Sequence, residues 1–277
     1  MDPHEYCQTK AAGSGSSFYY SFLFLPEERR RAITALYAFC REVDDVVDEC
    51  SDTAVARMKL AWWRNEVAAV YHGTPQHPVA RALGDVAPRF HLAEAQLNEI
   101  IQGMEMDLDH NRYPSFDALR VYCHRVASVV GLLSAEIFGY QDRRTLEYAA
   151  DLGLAFQLTN IIRDVGEDAR RDRIYLPLDE IERFGVSVQD IVQGRETGGF
   201  NQLMAFQIER ALAYYREAFA KLPAADRKAQ RAGIIMAAIY QTLLEEIRRD
   251  GCRVLTHRVS LTPVRKLWIA WRTWLKG

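Results

Sequence analysis

Two short acidic series sit inside otherwise apolar helical segments, and no other feature of the chain restricts its fold as much. The first is Arg41-Glu42-Val43-Asp44-Asp45-Val46-Val47-Asp48-Glu49, and the second is Asn160-Ile161-Ile162-Arg163-Asp164-Val165-Gly166-Glu167-Asp168. On an α-helix, Asp44 and Asp48 stand about 40° apart around the axis and about 6 Å apart along it. Asn160, Asp164 and Asp168 repeat that four-residue step twice, again on one face. Like charges at this spacing repel by roughly a few tenths of a kcal/mol unless something positive sits between them. A solvated acidic face is the ordinary explanation of one such run. Here, however, Asp44 follows the apolar stripe Leu36, Tyr37 and Cys40, and Val46 and Val47 interrupt the acids. The second series is embedded in the apolar stretch 152–162. Buried carboxylates need counter-ions, and two facing helices that share cations supply them. An oxygen-only donor set suits Mg²⁺, with Mn²⁺ as the alternative, because this hard ion keeps waters and takes phosphate oxygens.

Helical periodicity runs through most of the chain. Residues 27–47 lack Gly and Pro and carry Ile33, Leu36, Tyr37, Cys40 and Val43 at three- and four-residue steps. Pro26 ahead of Glu27 and Glu28 suits a helix start, where the macrodipole favours acids. Similar stretches cover 53–71, 93–108, 115–138, 142–164, 202–221 and 229–249, with Gly and Pro falling between them. No segment alternates with period two between turn pairs, so no sheet is expected. The expectation is an all-α fold, a single helical domain over residues 1–277 with 1–16 mobile.

Composition narrows the function. Hydrophobic residues make up 49% and charged residues 26% of 277, as in ordinary globular protein. The net charge of −2 gives no argument for a nucleic acid partner. Met1 to Lys10 lacks a signal-peptide core, and no run of about 18 apolar residues stands out to span a bilayer. Five cysteines without CxxC pairing read as reduced thiols in a cytoplasmic protein. Basic residues accompany the acidic series: Arg41 precedes the first, Arg163 lies in the second, and Arg170, Arg171 and Arg173 follow it. Guanidinium forks beside metal ligands suit a diphosphate. For Arg170 and Arg171 a solvated loop competes with that role.

Three stretches then carry a resemblance to the squalene/phytoene synthase family. They are Ser17-Phe18-Tyr19-Tyr20-Ser21-Phe22 with Leu25-Pro26, Tyr37-Ala38-Phe39-Cys40 leading into the first acidic series, and Gln157-Leu158-Thr159 leading into the second and on to Arg173-Ile174-Tyr175-Leu176-Pro177. Order and spacing match from residue 14 to about 266. Within the family the wording most resembles the bacterial branch of hopanoid biosynthesis that makes presqualene diphosphate.

The resemblance implies an isoprenoid synthase-type helical bundle with a central cavity, binding two farnesyl diphosphates. It implies metal binding by Asp44, Asp48, Asn160, Asp164 and Asp168. Tyr37, Arg41, Tyr122, Arg163 and Tyr175 match catalytic positions. Ser17, Phe18, Phe22, Gln157, Tyr240, Arg258 and Lys266 match substrate-binding ones. One departure stands out: Gly13, Ser14, Gly15 and Ser16 replace a His-x-Ser pattern, leaving Ser17 as the matching hydroxyl. The implied reaction ionises one farnesyl diphosphate and closes a cyclopropane with the other. Val126, Val129, Val130, Leu133, Leu154 and Phe156 are expected to wall the cavity, with Ala127 and Gly131 either leaving room for the chains or packing helices closely. No strand precedes a GxGxxG, so NADPH is not expected to be required. Squalene, dehydrosqualene or phytoene synthesis is the alternative, a class I terpene cyclase or an acidic helical scaffold the more distant ones. Finally, Trp268, Trp271 and Leu275 share one face of a basic C-terminal helix at 264–277, which suits either an interfacial helix on the inner face of the membrane or a cap on the core.

Overall fold

The computed structural model describes residues 1–13 and 17–276, without the side chains of Ser17 and Lys276. Among these residues there is no β-strand, only an isolated bridge between Arg112 and Ile174. The helices are α1 (Pro3–Gly13), α2 (Ser17–Phe22), α3 (Glu27–Glu49), α4 (Thr53–His72), α5 (Pro78–Phe90), α6 (Glu94–Asp109), α7 (Phe116–Cys123), α8 (Val129–Phe138), α9 (Arg144–Arg170), α10 (Leu178–Arg183), α11 (Val188–Val192), α12 (Gly198–Lys221), α13 (Arg231–Arg249) and α14 (Pro263–Lys276). One π-helical turn, His124–Ser128, joins α7 to α8 without a break.

All seven stretches read as helical from periodicity fold as helices, with ends set by local chemistry. Asp52 caps α4 by accepting from the amides of Ala54 and Val55, and Thr197 caps α12 by accepting from Phe200. Each cap satisfies amides that a helix start leaves without partners. Helix α1 differs from the expected mobile tail: Cys7 and Ala11 are buried in it, and Lys10 pairs with Glu42 and Asp45 of α3. The stretch 116–138 also meets the length and apolarity needed to cross a membrane, against the sequence expectation. Its apolar character instead serves the interior, since Leu119, Tyr122, Cys123, Val129 and Leu133 are buried.

Apolar side chains collect into two cores. One is built mainly from α9, α12 and α13, and the other from α1, α3, α4, α5, α6 and part of α8. Phe18 and Val126 pack against both, marking the seam between them. Along that seam helices approach closely through glycines. A methyl group on Gly153 would stand 2.4 Å from the Ala127 carbonyl oxygen, and one on Gly131 would stand 2.2 Å from that of Ala149. Gly198, by contrast, has nothing within 4 Å of the added carbon.

Gly153→Ala is expected to destabilise the fold by about 1–3 kcal/mol through overpacking, while Gly198→Ala is near neutral or stabilising. Thermal unfolding followed by circular dichroism checks this, and equal midpoints for the two variants would refute the close approach.

Candidate active site

The seam holds an elongated cavity of about 220 Å³. From α3 it is lined by Ile33, Leu36, Tyr37, Cys40, Arg41 and Asp44; from α9 by Ala149, Leu152, Gly153, Phe156, Gln157 and Asn160. Each series is one helical face, and each passes from apolar to polar toward the helix C-terminus. Asp48 continues the α3 face, and Asp164 and Asp168 continue that of α9, just beyond the lined volume. The cavity therefore has an apolar floor and a polar, acidic mouth. Phe18 and Phe22 of α2 cover it, with Phe18 packed on Tyr37 (ring centroids 5.5 Å apart), Phe156 (6.3 Å) and Tyr240 (6.3 Å). The Ser17 side chain, with Ser14, Gly15 and Ser16, lies outside the described residues.

Val126, Ala127, Val130, Gly131 and Phe156 line the cavity as expected, whereas Val129, Leu133 and Leu154 do not. These three are buried in the cores instead. The π turn ahead of α8 adds a residue, which rotates Val129 and Leu133 away from the seam, and Leu154 stands about 100° around α9 from Gly153 and about 160° from Phe156. The two readings of Gly131 hold together: it lines the cavity and lets α8 approach α9.

Acidic side chains crowd the mouth, and a set of arginines partly answers them. Arg41 donates to Asp44 (2.7 Å) and Asp45 (2.6 Å). Arg173 and Arg171, from the loop after α9, both reach across to Asp48 at 2.7 Å, and Arg173 also donates to the Val47 carbonyl at 2.9 Å. That places Arg171 at the site, while Arg170 is exposed. Asp164 is held by Arg163 (2.7 Å through Nε) and by Arg258 (2.8 Å). Arg258 reaches it because the segment before α14 crosses α9 at Gly166, whose amide donates to the Val254 carbonyl at 3.2 Å. Tyr240 lies beside Arg163, whose charge acts on its hydroxyl, and Lys266 lies near enough to Arg163 and Arg258 to have its proton affinity lowered, chiefly by burial and then by those two charges.

One acid was missed. Asp107, in the last turn of α6, accepts hydrogen bonds from Tyr175 (2.7 Å) and Tyr122 (2.9 Å), two tyrosines whose rings stack 5.2 Å apart. Its charge reaches Asp44, Asp48 and Asp168, so it stands between the two ladders. The sequence carried a signal for it: Asp107 follows Ile100 and Met104 at helical spacing, an acid on an apolar face.

The balance of charge is incomplete. Burial, and then the negative Asp48, push Asp44 up to about 7 despite Arg41. Burial and Asp164 push Asp168 to about 8, and burial pushes Asp107 to about 6 against the pull of Tyr175, Arg173 and Tyr122. Asp48 alone moves the other way, because the hydrogen bonds from Arg173 and Arg171 outweigh its burial. Asn160 Oδ1 is buried without a hydrogen-bond partner. Oxygen donors, an orphaned carbonyl oxygen and under-compensated carboxylates fit a hard divalent cation. Among the described residues no three acidic, histidine or cysteine side chains cage an ion by themselves. An ion here would complete its shell with water and phosphate oxygens.

The Squalene/phytoene synthase family profile matches residues 11–265. The 15-cis-phytoene synthase of Synechocystis sp. is 34% identical over 288 aligned positions, covering 100% of this chain and 86% of that one. The crystal structure of a dehydrosqualene synthase in complex with ligand superposes with a TM-score of 0.90 at 28% identity, covering 99% of this chain and 96% of that one. The squalene synthase HpnC from Alicyclobacillus acidocaldarius gives a TM-score of 0.80 at 28% identity, with 90% and 94% covered.

The raised carboxyls set a pH dependence of stability. A carboxyl whose folded pKa lies above its ordinary 3.8 binds its proton more tightly in the folded chain. Its stabilising contribution is whole below that ordinary value and is lost as pH rises through about 7 for Asp44 and about 8 for Asp168. In a chelating buffer the unfolding midpoint should fall between about pH 6 and about pH 8.5, and fall less for the double variant Asp44→Asn, Asp168→Asn. Scanning calorimetry at both pH values reads the difference, and identical slopes would show that these two groups do not carry it.

Proposed function

Because the chain belongs to the squalene/phytoene synthase family, a family of prenyltransferases, we propose that it joins two farnesyl diphosphates head to head to give presqualene diphosphate and diphosphate. The observation that carries this reading is the graded cavity: an apolar floor suited to prenyl chains under a mouth where carboxylates and arginines alternate. Magnesium, held by Asp44, Asp48, Asn160, Asp164 and Asp168, would supply positive charge to the departing diphosphate.

The chain's own residues do the rest. Arg41, Arg163 and Arg258, now spent on Asp44 and Asp164, are placed to turn their forked donors toward diphosphate oxygens as negative charge builds on them. Lys266, with its weakened hold on a proton, adds a compact charge beside them. The donor's C1–O bond breaks and leaves an allylic cation, which the acceptor's C2=C3 bond attacks. Phe18, Phe22, Tyr37 and Phe156 close the space around that cation and keep out water, which would quench it. A proton is then lost as the cyclopropane closes. Tyr122 and Tyr175, bound to Asp107, are oriented to pass that proton toward the mouth, where the released diphosphate accepts it. Gln157 accepts from the Asn160 amide nitrogen at 3.4 Å, which restrains that amide while its oxygen stays free of protein partners.

A second reading stops elsewhere: the curated relatives include phytoene synthases about 35% identical to this chain, so phytoene, dehydrosqualene or squalene is the competing product. The cyclopropane endpoint rests on the sequence's resemblance to the hopanoid branch, and it needs no NADPH. In this reading the enzyme works at the cytoplasmic face of the membrane, where its product dissolves.

Incubation with farnesyl diphosphate and Mg²⁺ should yield presqualene diphosphate with or without NADPH, and chelation should abolish turnover. Squalene on adding NADPH, dehydrosqualene, or phytoene from geranylgeranyl diphosphate would overturn the assignment. Asp44→Asn and Asp164→Asn should each lower kcat by about a hundred-fold or more.

A further inference from the structure

Helix α14 has two unlike faces. Its inner face carries Lys266, Ile269, Ala270 and Thr273, with Ala270 fully buried against the body. Its outer face carries Val264, Leu267, Trp268, Trp271 and Leu275, and the last three are 56%, 46% and 57% exposed. The rings of Trp268 and Trp271 lie 5.2 Å apart, so they form one continuous patch. Trp268, Trp271 and Leu275 do not cap the core, since a cap would turn them inward.

The charge around the patch has one sign. Residues 251–277 contain six Lys and Arg and no Asp or Glu, in a chain whose net charge is −2. Arg253, Arg258 and Arg265 pair with acids of the body, and Arg272 lies exposed beside the aromatic stripe. Tryptophans flanked by cations on an exposed helical face match the boundary between headgroups and acyl chains of an anionic bilayer.

The helix is also tied to the cavity's cover. Trp274 stacks on Phe24, just after α2, at 5.6 Å, and Lys266 lies 5.5 Å from the ring of Tyr20 in α2. We propose that the outer face of α14 is a docking surface for anionic lipid, which brings α2, and with it the covered mouth of the prenyl cavity, against the bilayer. The link to prenyl traffic rests on the proposed function, whereas the docking itself does not.

The test uses the full chain without substrate. Vesicles of phosphatidylglycerol and phosphatidylcholine in roughly equal amounts should co-sediment the protein and shift its tryptophan emission to the blue, and phosphatidylcholine vesicles should bind it far less. Trp268→Ala with Trp271→Ala should weaken binding by about ten-fold or more. Because both rings are exposed, the variant should keep its unfolding midpoint and its turnover in detergent. Arg272→Glu should weaken binding to the anionic vesicles only. Failure of the wild-type chain to bind, undiminished binding by the tryptophan variant, or a dimer by light scattering that the variant dissolves would each overturn the proposal. A different prenyl product in the assay above would leave the docking result standing.

Discussion

The structure is organised around negative charge gathered where three helices end. Asp48 lies in the last turn of α3, Asp107 in that of α6 and Asp168 in that of α9. A helix C-terminus already carries partial negative charge, so acids there add to an unfavourable field. Partial burial makes the cost larger, as the upward shifts of Asp44, Asp107 and Asp168 record. Two irregular segments bring positive charge to this point. The loop after α9 returns with Arg171 and Arg173, and the segment before α14 crosses α9 at Gly166 to deliver Arg258. The compensation is uneven: two arginines hold Asp48 low, while Asp44, Asp107 and Asp168 stay raised.

Much of this was legible in the sequence because helical periodicity and ligand spacing are the same geometry. A stripe that keeps Ile33, Leu36, Tyr37 and Cys40 on one face also keeps Asp44 and Asp48 there, so the long helices and the ladders emerged together. What escaped was short, broken or relative. Helix α5 starts at Pro78 and holds Gly84 and Pro88, which reads as loop. Helices α10 and α11 span six and five residues, too few for a stripe to repeat. Asp107 carries no motif of its own, and its meaning depends on Tyr122 and Tyr175 arriving from distant segments. The pairing of Arg171 and Arg173 with Asp48 likewise depends on how a loop folds back, which spacing along one helix does not encode.

The cavity, for its part, exists because two cores meet without fusing. Small residues let backbones touch at Gly131 and Gly153, while aromatic rings from α2, α3, α9 and α13 meet over the gap. Close contact below and bulky cover above leave a slot between them, and the acids sit at the one end where neither core can close over them.

The π turn at His124–Ser128 has a consequence for how this chain can change over time. An α-helix advances about 100° per residue, and the π turn accommodates one residue beyond the regular spacing. If the same residues wound as a regular α-helix, without the wider turn, everything after it would swing by roughly that angle. Val130, Gly131 and Ser134 would leave the slot, and Gly131 would lose its seat against Ala149. Side chains along this wall can vary one at a time, but the number of residues between Tyr122 and Gly131 can change only together with the winding of the turn. The turn thus ties length to winding: a lineage can recut the cavity's surface freely, yet keeps the cavity only if a residue lost from this segment takes the wide turn with it.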